Sequence, residues 1–415
     1  MRLSWSRRVR SGLSRAALGA AVLAATSTLV AAGPAHANGV DYAAAADDEA
    51  YWISLAQVPT GFGTASGAIS VNVPAGGITA ATDALVRPYL ANLAVPGLVA
   101  AGPRYFPMAK AYLDWYLRHV QWPDQYGVHG TVCDYRINVV TGVETLIDGS
   151  GNPSGVCYYD SSDGYAGTFL MAMRAYAEAN PADAAWVANQ SYLLESIANA
   201  IEATKQADGL TWAKPDYHAK YLMDNVEAQQ GFAALSWLAR HVFNDAAKAD
   251  YWAGEADAVA AGIESQLYVP SAGMYANDVG AAGQCATDNV CPDWDTWYPN
   301  AQDHSTSVGQ AWPLWAGLGT ATRREQLWAT FTAEWPQWTG ACQVADPSAA
   351  PCGGTPWAVL AHTAVVQGDT AAAATYVSNA RAQWGATGRP WPWTVADSGW
   401  LALAERALAA GQSGA

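Results

Sequence analysis

Along most of the chain, apolar residues recur with the 3.6-residue period of a helix and hardly anywhere with the alternation of a strand. The pattern predicts twelve helices, over residues 43–58, 84–101, 105–120, 163–179, 184–206, 224–241, 245–267, 305–319, 321–335, 355–368, 370–384 and 396–411. The links between them alternate in length. Some are as short as "AGPR" (101–104) and "NPADA" (180–184); the others are long, covering 59–83, 121–162, 207–223, 268–304, 336–354 and 385–395. Such alternation makes successive helices antiparallel, with the tight turns at one end of the molecule and the long loops at the other.

The even-numbered helices of this series, such as "SDGYAGTFLMAMRAYAEA" and "NVEAQQGFAALSWLARHV", are rich in Gly, Ala and apolar residues around most of their circumference. That composition belongs to helices buried on several sides, whereas the odd-numbered ones, such as "YWAGEADAVAAGIESQL", keep a charged face for solvent. Six inner helices ringed by six outer ones give an all-α fold, an (α/α)6 barrel of twelve antiparallel helices with its long loops on one face. No low-complexity linker divides residues 38–415, which read as one domain.

Residues 1–37 carry five arginines, then an apolar run from Ala16 to Ala32, then Ala35-His36-Ala37, the order of a secretory signal peptide. Export is therefore expected, with no membrane attachment after cleavage. Removing the five arginines, and no acid, takes Lys+Arg from 21 to 16 against 36 acids. A surface this acidic repels phosphate backbones and excludes nucleic acid as a natural partner. The chain is expected to act as a monomer. Six cysteines in an exported chain read as disulfides, and local spacing favours Cys133 with Cys157, Cys285 with Cys291 and Cys342 with Cys352, though six cysteines allow fifteen pairings.

The alternation, together with "SLAQVPTGFGTASGAI" (54–69), "RPYLANLAVPGL" (87–98), "AKAYLDWYLRHV" (109–120) and "YDSSDGYAGTFL" (159–170), resembles the six-hairpin glycosidase superfamily over nearly the whole of residues 38–415. The resemblance implies a carbohydrate-active enzyme, usually a hydrolase, whose site lies in the funnel at the loop-rich end.

Each inner helix begins at that end, where unpaired N–H groups and positive partial charge favour carboxylates. Asp83, Asp163, Asp224 and Asp303 all stand where they could cap such helices, and Asp224 with Glu227 has capping-box spacing. In a barrel the same acids converge on one cavity, and glycoside hydrolysis needs two carboxyl groups there, one protonated and one ionised. Asp163 is the first candidate, with Asp224 as its partner and Glu227 one turn deeper; Asp160 and Asp303 follow as base or substrate ligands. Asp397, in "VADSGW", reads as an ordinary cap.

Nineteen of the twenty tryptophans lie beyond residue 37. Those in the long loops or at inner-helix starts suit stacking against sugar rings, as do nearby tyrosines. The candidates are Tyr158, Tyr159, Trp297, Trp357, Trp391 and Trp393, with His218 and His304 for sugar hydroxyls. No residue spacing points to a transition metal or an organic cofactor, and "DGSGN" (148–152) reads as a turn. The expected partner is a poly- or oligosaccharide. Two other functions fit the same barrel: a polysaccharide lyase using His218, Lys220 and Tyr221 or His129 with Arg136, and a sugar-binding barrel without catalysis.

Overall fold

The chain was analysed as a computed structural model that describes residues 40–74, 76–270, 272–279, 308–342 and 355–413. The expected signal segment and Asp303, His304, Trp297, Cys285, Cys291 and Cys352 lie outside the described residues.

Thirteen helices are described: α1 (Tyr42–Ser54), α2 (Pro88–Ala101), α3 (Phe106–Arg118), α4 (Ser162–Ala179), α5 (Ala184–Ala188), α6 (Ser191–Glu202), α7 (Leu222–His241), α8 (Ala246–Gly262), α9 (Ala311–Trp315), α10 (Ala321–Glu334), α11 (Val359–Val366), α12 (Thr370–Gln383) and α13 (Val395–Ser413). Helix α2 packs on α4, α4 on α7, α7 on α9, α9 on α11, α11 on α13, and α13 back on α2, closing a ring of six. The remaining helices lie outside it: α1 against α13 and α2, α3 against α2 and α4, α6 against α4 and α7, α8 against α7, α10 against α9, and α12 against α11 and α13. This is the (α/α)6 barrel expected from the link lengths.

Glycine sets how closely the inner helices approach. A Cβ on Gly231 of α7 would sit 2.5 Å from Cα of Gly167 on α4, and one on Gly97 of α2 would sit 2.4 Å from the carbonyl oxygen of Gly399 on α13. No larger residue fits either crossing without parting the helices.

Four of the outer helices carry side-chain caps. The side chains of Asp41, Asp245, Thr320 and Asp369 accept the N–H three residues on, capping the outer helices α1, α8, α10 and α12. The inner helices α2, α4, α7, α9 and α11 begin at Arg87, Ser161, Tyr221, Gln310 and Ala358, none of which caps through its side chain. The acids near the start of α7, Asp224 and Glu227, accept no backbone N–H among the described residues.

The structure corrects several boundaries. Residues 84–86 are not helical: Asp83–Val86 forms strand β1, and Pro88 then opens α2 at its first turn. Asp83, expected as a cap, is instead exposed on that strand opposite Asn138. Strand β1 pairs antiparallel with β2 (Tyr135–Asn138), which pairs with β3 (Glu144–Leu146), so a small sheet rests on the otherwise helical body. The helix expected over 184–206 breaks between α5 and α6, and α9 is short because Gly317 and Gly319, both at φ +73°, end it.

Cys133 and Cys157 form a disulfide, as their spacing suggested. Cys342 is disulfide-bonded too.

Candidate active site

Helix α7 brings Asp224 and Glu227 to the start of the inner ring, one turn apart. Both face Gly164 at the start of α4: a Cβ built there would lie 3.0 Å from Oε2 of Glu227 and 3.5 Å from Oδ1 of Asp224. The two carboxyl oxygens therefore lie no further apart than twice that larger distance, inside the upper limit of roughly 10 Å for glycosidase carboxyl pairs. Gly164 leaves this space open because it has no side chain.

Glu227 is fully buried. Its Oε1 accepts the hydroxyl of Tyr89 from α2 at 2.7 Å and the indole N–H of Trp312 from α9 at 2.9 Å. Its Oε2 is buried with no hydrogen-bond partner among the described residues. Burial drives the pKa of Glu227 well above the usual carboxyl range, and the charge of Asp224 adds to it, against the two donors. Asp224 is partly open to solvent and its carboxyl accepts no hydrogen bond among the described residues. It too is shifted upward, first by desolvation, then by the charges of Asp163 and Asp160.

Asp163, the first candidate by sequence, is placed differently. It is fully buried; Oδ1 accepts the N–H of Gly164 at 2.8 Å and Oδ2 the hydroxyl of Thr211 at 2.5 Å. Both oxygens are thus committed to the wall joining α4 to the loop before α7. Burial raises its pKa, and Glu227 raises it further. Asp163 adds charge behind the pair but presents no face to a substrate.

Asp160 stands exposed at the rim, where it accepts the Tyr158 hydroxyl at 3.4 Å, and Lys214 lies 4.9 Å over the Tyr158 ring. His218 is also on the rim, stacked on Trp212 with ring centroids 3.7 Å apart. Tyr159 and Trp393 do not face the funnel: Tyr159 is buried and donates to Asp124, while buried Trp393 donates to Ser398. Their polar edges are satisfied inside the wall, which removes them from sugar stacking. Asp397 accepts the N–H of Ala358 and both the N–H and hydroxyl of Thr394, a cap bridging the starts of α11 and α13.

Beside the pair opens a cavity of ≈ 280 Å³, and the two donors to Glu227, Tyr89 and Trp312, form part of its lining. Trp357, Trp391 and Trp400 supply further aromatic wall, with Trp357 held at φ +49°. Backbone in that left-handed region costs energy for a bulky residue and is a mark of functional sites.

Tyr89, Trp312 and Trp400 were not among the candidates. Tyr89 and Trp312 stand at inner-helix starts, in "RPYL" and "QAWPLW", so the rule that selected the acids would have found them had it been applied to donors. Asp134 was also missed. It is buried, accepts the Tyr165 hydroxyl at 2.9 Å, lies 3.6 Å from Nε of Arg87, and is pushed up to about 7, chiefly by burial.

Three of the residues considered for lyase chemistry are engaged away from the acids. Lys220 is paired with Asp208 at 2.5 Å, Arg136 donates to the Gly151 carbonyl, and His129 packs against Trp122 on the outer flank. Among the described residues no group of three or more His, Cys, Asp or Glu is arranged to hold a metal ion.

No protein-family model matches the sequence, and no curated protein does. Among solved structures the fold is similar to that of a GH63 mannosylglycerate hydrolase from Thermus thermophilus in complex with glucose, with a TM-score of 0.55 at 14% identity over 88% of this chain and 99% of that one. An alanine variant of a glycosidase in complex with glucose gives a TM-score of 0.55 at 14% identity, over 90% of this chain and 97% of that one. A rhamnosidase from Klebsiella oxytoca with rhamnose bound aligns with 79% of this chain at 12% identity and a TM-score of 0.46, and this chain spans only 58% of its length. The two fuller matches, at this level of identity, establish a shared barrel fold.

Proposed function

We propose that this chain is an exported glycoside hydrolase that cleaves a glycosidic bond in an extracellular poly- or oligosaccharide, using Asp224 and Glu227. The observation that carries the reading is the unpartnered, buried Oε2 of Glu227 facing the same point as the carboxyl of Asp224, beside an aromatic cavity. Two carboxyls this close and this desolvated resist double ionisation and share a proton. The more deeply buried Glu227 keeps it.

Glu227 then protonates the glycosidic oxygen as the C1–O bond breaks, and the ionised Asp224 meets the positive charge that develops at C1. A water molecule completes the reaction by adding hydroxyl to C1, and its remaining proton passes to the carboxylate pair, which restores the protonated acid. The leader sequence and the disulfides support export.

Residues 38–415 would be screened against neutral polysaccharides and aryl glycosides, with products read by mass. Asp224→Asn and Glu227→Gln should each lower kcat by roughly 10²- to 10⁴-fold with an unchanged circular-dichroism spectrum. Turnover at the wild-type rate in both variants would overturn the assignment.

A further inference from the structure

We propose that the outer flank of the barrel carries a second saccharide-binding site that holds a neutral poly- or oligosaccharide chain away from the cavity of Asp224 and Glu227. The choice of ligand rests on the carbohydrate reading above; the site itself is defined by its own geometry.

A groove of ≈ 530 Å³ runs between α6, α8 and the loop that carries Trp122 and His129. None of its walls belongs to the inner ring. Three large aromatic side chains line it in the open: Trp122 is 44% exposed, Tyr192 72% and Tyr251 52%. The rings of Trp122 and Tyr192 lie within 5° of parallel with centroids 5.7 Å apart, forming an offset plate that remains largely uncovered. Flat apolar faces of this kind, edged by polar groups, suit pyranose rings.

Ser196 supplies the second observation. It lines the groove, is only 4% exposed, and its Oγ has no hydrogen-bond partner among the described residues. Buried hydroxyls are nearly always paired, and one left unpaired in the wall of a groove points to a ligand hydroxyl that completes it. Glu195 and Glu202 add carboxylate acceptors on the same wall; Glu195 already accepts from Lys248 and Glu202 from Tyr251, so both are fixed in place. Sugar hydroxyls can donate to these carboxylates. A uronate-rich glycan or a nucleic acid would bring its own negative charge against them, which selects a neutral chain.

The test is retardation in native gels containing yeast α-mannan, laminarin, glycogen or polygalacturonate, using the Asp224→Asn chain so that no polymer is consumed. Retardation by at least one neutral polymer is expected, none by polygalacturonate, and Trp122→Ala with Tyr192→Ala should weaken the interaction by about tenfold or more. Ser196→Ala, a smaller change, should weaken it in the same direction. In the active enzyme the double substitution should leave kcat/KM on a short aryl glycoside within about twofold while lowering turnover of the polymer. Undiminished retardation of the double variant, or no retardation by any neutral polymer, overturns the flank site. A chain that hydrolyses nothing yet is retarded through Trp122 and Tyr192 keeps the flank site and loses the proposed activity; one that hydrolyses without that dependence does the reverse.

Discussion

The indole of Trp312 donates to Oε1 of Glu227 at 2.9 Å across 85 residues of sequence, linking the fourth inner helix to the third. The bond favours the ionised carboxylate and so opposes the burial that raises Glu227. Replacing Trp312 with Phe removes a donor that favours the charged form and should lift the pKa of Glu227 further. An acid that must be protonated to act loses activity as pH rises through its pKa. The alkaline limb of kcat/KM in the variant should therefore move to higher pH. A limb that stays in place or moves down would show that Glu227 is not the proton donor.

Gly164 and Gly167 lie on the same helix, yet their substitution should do different things. A Cβ at 164 would stand 3.0 Å from Oε2 of Glu227 and 2.6 Å from the movable Oγ of Ser161, whereas one at 167 would stand 2.3 Å from the backbone carbonyl oxygen of Glu227. Gly164→Ala crowds the acids without touching another helix's backbone, so kcat should fall by about 10²-fold with little change in stability. Gly167→Ala forces α4 and α7 apart and should cost about 1–3 kcal/mol in denaturant unfolding. Equal effects of the two on stability would mean that the space over Gly164 serves packing rather than chemistry.

The ring itself could be read from the chain because unequal links and a helical period are local, repeated features. Asp224 and Glu227 were within reach for the same reason: both sit at a predicted inner-helix start. What could not be read was which acid keeps a carboxyl oxygen free of protein hydrogen bonds. Asp163 has the better sequence position, but Thr211, 48 residues away, engages its outer oxygen, and no spacing reveals that. Tyr159 and Trp393 likewise look like rim aromatics until their partners, Asp124 and Ser398, turn them inward. Strand β1 was lost because "DALV" is too short to show alternation and its pairing partner begins some fifty residues later.

Asp134, although ion-paired with Arg87, makes stability fall as pH rises, because burial outweighs the pair. Its folded-state pKa, about 7, is above the unfolded value near 4, so between the two the native state binds more protons than the unfolded one. Its contribution is thus favourable at low pH and is lost as pH rises from about 4 through 7. Full ionisation costs up to about 4 kcal/mol. Asp134→Asn keeps an acceptor for the Tyr165 hydroxyl and removes the titration. The variant should lose less stability than the wild type between pH 5 and 8, read as the difference in Tm at the two values; an identical pH dependence would show that the titrating group is not Asp134.

The disulfide between Cys133 and Cys157 closes a 24-residue separation and lies directly against the rim. Its neighbours in sequence are Asp134 and Tyr158, whose backbones are themselves joined by the Asp134 N–H donating to the Tyr158 carbonyl at 2.7 Å. Tyr158 in turn donates to Asp160, so the crosslink anchors the polar rim while the acids of α7 stand on a separate helix. Cys133→Ala with Cys157→Ala should therefore lower unfolding free energy by about 3 kcal/mol, as expected for a loop of this length, and raise KM more than it lowers kcat. Loss of kcat at unchanged KM would mean that the crosslink orders Asp224 and Glu227 rather than the rim, and the division between a tethered rim and a helix-borne acid pair would fail.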